Sequence, residues 1–530
     1  MRKARLIALA VISAGLAVTG AAHAATPEAA RGPKVLLVGT YEGRAGSYQS
    51  LQAAVDAARP GDWILVGPGD YHTTSNHAPA GAPDTPAAVL VQTPDLHIRG
   101  MNRNTVVIDG TKPGSPQCSP KAADQNLGPA GPNGPLGLNG IMVWKADNVS
   151  VENLTVCNFL SGTGQAGNEI WWNGGANSGR IGGWGYTGDY LTATSTYYGG
   201  EATAAAYGIF SSNWSGGTWN RTYASNFNDS GYYIGACQDA CDQTVDHAWA
   251  EYSALGYSGS NSGGQLVVEN SQFDHNEDGF DTNSQNGDNP PPQDGACPNG
   301  GISPITHTHS CWVFMHNYVH DNNNPNVPAA GLAGTGPVGT GMSLSGARDD
   351  TVMDNVFANN GAWGTILVPF PDSGPPCTGG TYTPAICLFD EYGDAVIGNT
   401  YENNGFFGNP TNGDIAAGNT EPGPTDCFGG NVEYGGGAVT TSPPALQTLY
   451  PSCTGQTVPP DLNAPFIDEV ACDSQSTALG PISSGTLCLP GSNYPRRTHV
   501  VMHPLPAGLP TMADPCAGVP ANPWCPAPRG

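Results

Sequence analysis

Asn270-Ser271-Gln272-Phe273-Asp274-His275-Asn276-Glu277-Asp278-Gly279 is the stretch on which the reading of this chain turns, because its pattern returns. Asn355-Val356-Phe357-Ala358-Asn359-Asn360-Gly361 and Asn399-Thr400-Tyr401-Glu402-Asn403-Asn404-Gly405 repeat it, and Asn317-Tyr318-Val319-His320-Asp321-Asn322-Asn323 lacks only the Gly. Residues 226–231 and 153–158 are looser copies. Short β-prone runs lie between the copies, among them Leu266-Val267-Val268-Glu269, Trp312-Val313-Phe314-Met315 and Asp350-Thr351-Val352-Met353. A phrase recurring every ~20–45 residues marks a solenoid. Strands this short bury no face alone, whereas stacked coils bury a continuous core. In such a stack, Asn residues at equivalent turns satisfy one another's amides. A β-sandwich with Asn-Gly hairpins would give general alternation instead of one repeated phrase.

Outward from this centre, the N-terminal side holds a helix signal. Leu51, Ala54, Val55 and Ala58 fall on one helical face, Ser50 is placed to cap it, and Pro60-Gly61-Asp62 stops it. Trp63-Ile64-Leu65-Val66 follows as a strand, so the helix is expected to cap the open end of the sheets. Arg2, Lys3 and Arg5 precede an apolar run from Leu6 to Gly20 and an Ala22-His23-Ala24 cleavage pattern, which reads as a secretory signal peptide over 1–24. Residues 25–45 read as a linker and 46–435 as the solenoid domain. Two insertions are expected, at about 111–138 (Pro/Gly-rich) and 160–222 (Gly- and aromatic-rich). Residues 436–530 read as a Pro/Cys-rich tail packed on the last coils.

The composition narrows the function. The 530 residues carry 18 Lys and Arg against 44 Asp and Glu, a formal charge of −26. No basic stripe exists to neutralise phosphates, so nucleic-acid and anionic-membrane binding are excluded as primary roles. The 14 cysteines are an even number in an exported chain, so disulfides are expected, with Cys237/Cys241, Cys297/Cys311, Cys377/Cys387 and Cys516/Cys525 as natural loop staples. A zinc site at Cys237-x3-Cys241 is the minor alternative. A secreted, extracellular monomer is expected.

The Gln52-Ala53-Ala54-Val55-Asp56-Ala57-Ala58-Arg59-Pro60-Gly61-Asp62 segment, taken with the Asn-x-x-Phe-x-x-Asn-x-Gly rungs, resembles the right-handed parallel β-helix superfamily of pectate lyases and related polysaccharide enzymes. The resemblance covers about residues 46–435. It implies an all-β, right-handed parallel β-helix with an N-terminal capping helix and inserted loops. It implies the reaction less directly, since this architecture hosts lyases, hydrolases, epimerases and adhesins.

The acidic turn is similar to the calcium site of family 9 pectate lyases, where an Asp-Asp-Gly-x-Asp pattern supplies three ligands. On that match Glu277, Asp278 and Asp281 would hold Ca²⁺, a cation that takes six to eight oxygens. One position departs from the family. Its Brønsted-base Lys corresponds to Ser343 within Gly339-Thr340-Gly341-Met342-Ser343-Leu344-Ser345-Gly346, and no Lys follows Lys145. A Ser hydroxyl is too weak a base without activation. His320, His316 and Arg348 are therefore the candidate catalytic groups, as base or charge stabiliser. His275, Trp171, Trp172, Trp184 and Tyr186 are the candidate substrate-binding residues, the rings offering faces to sugar C–H groups.

These readings predict a polysaccharide-acting protein, foremost a Ca²⁺-dependent lyase that β-eliminates at a uronic acid. A hydrolase of neutral glycans using paired carboxylates is the alternative, with Asp278 and Asp281 free to pair with each other or with Asp349, Asp350 or Asp354. The third reading is a secreted carbohydrate-binding or surface protein without catalysis.

Overall fold

The computed structural model describes residues 32–527, apart from 74–75, 176–179, 288–289, 373–376, 383–385, 476–478, 480–481 and 485–487. The expected signal peptide and residues 25–31 of the linker lie outside the described residues. Three parallel sheets of eleven strands each make up the fold, and from Trp63 to Ala417 each coil visits them in the same order. In the coil of the acidic turn, Leu266–Glu269 lies in sheet A, Gln272–Asp274 in sheet B and Asp278–Asn283 in sheet C. The next coil returns to sheet A at Trp312–Met315, paired parallel with Leu266–Glu269. The chain is thus a right-handed parallel β-helix, the hand that parallel strand-to-strand connections take.

The repeated phrase explains the corners. Leaving sheet A, the chain turns at Asn270, His316 and Asp354, and leaving sheet B at His275, Asp321, Asn359 and Asn403, all at φ between 51° and 58°. This left-handed position suits Asn, Asp and His among residues with a Cβ. The Asn that follows turns inward. Asn276 Nδ2 donates to Asn322 Oδ1 (3.1 Å), Asn322 to Asn360 (3.3 Å) and Asn360 to Asn404 (3.2 Å). A second ladder runs Asn355 to Asn399 (3.0 Å) to Asn431 (3.1 Å). Buried amides are thereby satisfied by their own copies one coil away. The aromatic of the phrase fills the interior, with Phe273, Val319, Phe357 and Tyr401 as one buried stack on sheet B.

Helix α1 (Leu51–Ala57) forms where the apolar spacing places it. Ser50 Oγ accepts from Ala53 N (3.3 Å), and Leu51, Ala54 and Val55 are buried against the first coils. Burying each larger apolar side chain contributes about 1.5–3 kcal/mol.

Three expectations about the chain's organisation need correction. The linker expected over 25–45 already holds a strand of the solenoid, since Val35–Val38 pairs in sheet A with Trp63–Val66. Residues 160–222 are not an insertion. Asn168–Asn173 and Tyr207–Ser212 belong to sheet C, Tyr186–Asp189 and Gly217–Asn220 to sheet A, and Thr192–Thr194 to sheet B. Trp172, Tyr186, Trp214 and Trp219 fill their interior, so the periodicity is present but the Asn phrase is not. The tail does more than cover the last coils. Helix α2 (Leu446–Leu449) and helix α3 (Ala464–Asp473) lie in its first part, and Phe466, Ile467, Val470 and Ala471 of α3 pack on Trp363, Ile366, Val368 and Ala416 of sheet C. From Arg497 the chain runs back along the coils to the first one. Val501 N reaches Asn326 O (2.8 Å), and His503 N reaches Asn226 Oδ1 (3.1 Å). Arg103 donates to Pro510 O (3.1 Å), and Arg99 to Ala517 O (2.7 Å). Trp524 packs with Leu37, Leu65 and Met101. A Pro-rich strand has few N–H groups but keeps its carbonyls, and buried arginines of the coils occupy them.

All 14 cysteines pair, in seven disulfides. Cys237 bonds Cys241, which removes the zinc alternative there. Among the described residues no helix is long and apolar enough to cross a membrane.

Candidate active-site cleft

The outward side chains of sheet C stack in register from coil to coil. One row begins with Met142, Trp171, Phe210 and Tyr233, continues through Ser258, Asp281 and Ser343, and ends in Ile366 and Ala416. The row is therefore aromatic, then polar, then aliphatic. Over its polar part lies a cleft of about 360 Å³, floored by Ser258, Ser260, Asp278, Asp281, Ser343 and Ser345. Leu332–Pro337 and Val368–Pro371 form walls, and Val470, Ser474 and Leu479 of the C-terminal region close the aliphatic end. At the other end the cleft meets the aromatic shelf through Tyr207 and Tyr233, which border both.

Residues three apart on a strand ordinarily face opposite sides. Asp278 and Asp281 both reach the cleft because the corner has not ended at Gly279. A Cβ there would point inward, 2.5 Å from Gly341 O and 2.6 Å from Asn322 Nδ2, and Phe280 is buried in the core. Two inward residues thus separate two outward carboxylates. No other residue type fits at 279.

The two carboxyls differ in their surroundings. Ser343 Oγ donates to Asp278 (2.6 Å), and Phe280 N approaches it at 3.3 Å. Burial, and then the charge of Asp281, push the Asp278 carboxyl well above the usual carboxylate range. Asp281 accepts from Asn283 Nδ2 and from Ser345 Oγ (2.8 Å). Burial raises it too, to about 6, with both donors acting the other way. Asp278 therefore holds its proton at a pH where Asp281 gives its proton up. Two carboxyls held apart in this way are the arrangement of an acid/base pair.

The structure distributes the sequence-predicted site residues over several faces. Ser343 stands beside Asp281 in register and bonds Asp278, as a donor. Glu277 turns away to Arg497 (3.4 Å). His320 on sheet B and His275 at the corner leaving it flank Asp274, on the other side of the Asn276 corner from the cleft. His316 occupies a left-handed corner position, and Arg348 donates to Gly379 O (2.6 Å) with its guanidinium over Tyr392. None of these four lines the cleft. Trp172 and Tyr186 are core residues, stacked at 4.6 Å inside the coil. Trp171, one position along, faces outward and stacks on Phe210 at 4.8 Å. Trp184 is 53% exposed and sits outside both the cleft and the shelf.

The structure does not bring the three expected calcium ligands to one point. Among the described residues, three sets of His, Cys, Asp or Glu bring ligand atoms within 4.8 Å of one another, and Glu277, Asp278 and Asp281 are not one of them. Glu277 is engaged by a cation, and the oxygens of the other two accept from Ser, Asn and backbone donors. Phe210, Tyr233, Ser258 and Ser345 were missed from sequence. Ser258-x-Ser260 and Ser343-x-Ser345 are the period-two signal that marks this outward face.

No family model matches the chain, and no curated protein does. Among solved structures, the A-module of a mannuronan C-5 epimerase from Azotobacter vinelandii is 13% identical, covering 74% of this chain and 90% of its own, with a TM-score of 0.43. Pectate lyase Pel9A is 12% identical over 76% and 74%, at 0.35. A pectin methylesterase from Aspergillus niger is 14% identical over 55% and 79%, at 0.29. Likenesses this distant say nothing about the reaction, and the right-handed parallel β-helix itself is established by the chain's own three sheets.

Proposed function

We propose that this protein is an extracellular glycoside hydrolase that works on a neutral polysaccharide from a chain end. The observation that carries this is the pair Asp278 and Asp281, delivered to one cleft with unequal donor sets. Asp278 protonates the glycosidic oxygen as the C–O bond breaks. Asp281, ionised, supports the sugar cation or activates water on the opposite side, and water ends on the anomeric carbon. Ser343 fixes the Asp278 carboxyl by donating to its Oδ2. Trp171, Phe210 and Tyr233 extend the floor as a shelf for further sugar rings. Because α3 closes the far end, the chain end enters first. Seven disulfides and the N-terminal targeting pattern support action outside the cytoplasm.

The lyase reading asks for a cation to meet the uronate. The cleft lining holds no Lys, Arg or His among the described residues, and acids floor it, so a polyuronate meets like charge. The test is incubation with a panel of neutral and uronic glycans, with and without EDTA. New reducing ends from a neutral glycan, EDTA-insensitive and without absorbance near 235 nm, are expected. Unsaturated product would replace this reading with the lyase, and binding without turnover would replace it with a lectin-like role. End-first cleavage predicts that reducing ends accumulate well before viscosity falls.

A further inference from the structure

We infer that the outer face of sheet B carries a zinc-class divalent-metal site built from Glu251, Asp274, His275 and His320, separate from the cleft. Glu251, Asp274 and His320 stand in direct register on three consecutive strands, so their side chains stack on one face. Ligand atoms of Glu251, Asp274 and His275 lie within 4.8 Å of one another. His320 supplies the independent sign. Its side chain is 11% exposed, and its Nε2 is shut off from solvent with no hydrogen-bond partner, 3.9 Å from Asp274 Oδ1. Its Nδ1 meets Asp321 Oδ2 at 2.8 Å, so the proton belongs on Nδ1 and Nε2 presents a bare lone pair. Asp274 Oδ1 already accepts from Trp249 and Gln272, so a bare Nε2 beside it is an acceptor facing an acceptor, which a cation resolves, whether a metal ion or a proton. A carboxylate bonded to the far nitrogen of a ligating His is also how metal sites fix the ring.

The surrounding groups hold the acids in place. Trp249 Nε1 and Gln272 Nε2 each donate to Asp274 Oδ1 (2.8 Å), and Tyr223 O–H donates to Glu251. His275 Nδ1 meets Asp274 Oδ2. Mixed imidazole and carboxylate donors suit Zn²⁺ better than Ca²⁺, whose sites are all oxygen.

The experiment titrates the EDTA-stripped, full mature chain with Zn²⁺ by calorimetry. One equivalent bound at micromolar or tighter Kd is expected, with X-ray absorption showing a nitrogen/oxygen shell at about 2.0–2.2 Å and imidazole scattering. His320→Ala and Asp274→Asn should each weaken binding at least about tenfold. Asp274 also anchors Trp249 and Gln272, so His320→Gln serves as the variant that leaves those bonds intact, and it should weaken binding equally. No stoichiometric uptake, or uptake unchanged in His320→Gln and His320→Ala, would overturn the site.

Discussion

Asp274 and Asp278 are four residues apart, yet they belong to different chemical worlds. The corner at Asn276 separates them. Before it, Asp274 lies on sheet B among His275, His320, Trp249 and Gln272, ringed by donors and imidazoles. After it, Asp278 lies on sheet C over a cleft with hydroxyl donors and two other carboxyls, Asp281 and Asp229, and no cation in the lining among the described residues. The surroundings differ in consequence. One acid is matched with basic nitrogen, while the other is left to keep its proton. In a solenoid, sequence neighbours across a corner are strangers, and residues one coil apart are partners.

Substitution at the two positions tests that contrast most severely. Asp278→Asn and Asp281→Asn should each lower kcat/KM on the neutral glycan by about 10²–10⁴-fold with Tm within a few degrees of the parent, read by initial rates and calorimetry. Asp274→Asn should leave the rate within about twofold. Equal losses at 274 and 278 would erase the distinction.

The same contrast holds inside out at Trp171 and Trp172. Trp172→Ala removes a buried ring from the core and should cost about 3–5 kcal/mol in denaturant unfolding. Trp171 is itself only 6% exposed, packed with Met142, Phe210 and Tyr233, so Trp171→Ala should also lower stability, and should in addition raise KM about fivefold, the loss of ~1 kcal/mol of ring stacking. A destabilised Trp171→Ala with normal KM would place that ring in a packing role.

The pH profile sharpens the picture further. Activity should rise with pH through about 6 as Asp281 ionises, and fall at higher pH as Asp278 does. Asp281→Asn should remove the acid limb from whatever activity remains.

The smallest effect concerns a third corner, where Asp replaces Asn in the ladder. Asp350 N donates to Asp394 Oδ1 (2.8 Å), and Asp394 N to Asp426 Oδ1 (2.9 Å), with Asp350 and Asp394 buried and Asp426 half-buried. Burial raises these carboxyls, and it raises nearby Asp349 to about 6 and Asp239 to about 7. The folded chain then binds more protons than the unfolded one, whose carboxyls titrate near 4. Their contribution is full below about pH 4 and is lost as pH rises through 6–7. Tm should therefore be higher at pH 5 than at pH 8, and Asp394→Asn, which restores the Asn pattern, should flatten that slope.

Much of the fold was legible because it is local and repeated. The Asn phrase specifies a left-handed corner residue, a buried amide and an inward aromatic, and each recurs coil after coil. Residues 168–225 escaped because their interior is filled by Trp and Tyr, which read as a loop when judged by composition alone. The return path of residues 497–527 escaped because a Pro-rich strand held by carbonyls has no periodicity of its own. At the site, Asp278, Asp281 and Ser343 could be named from sequence, and the pairing of the two acids was one of several options left open, but the bond from Ser343 to Asp278 could not be read. The sequence grouped Glu277 with Asp278 and Asp281, whereas Glu277 turns to Arg497.

The amino-acid sequence alone determined that this chain coils, where it turns and which aromatic points inward, since these depend on neighbours within a few residues. Only the tertiary structure decided which carboxylates meet. That depends on coil-to-coil register, on the inward turn at Gly279 and on a C-terminal helix nearly two hundred residues away closing the cleft, and none of these is written in local spacing.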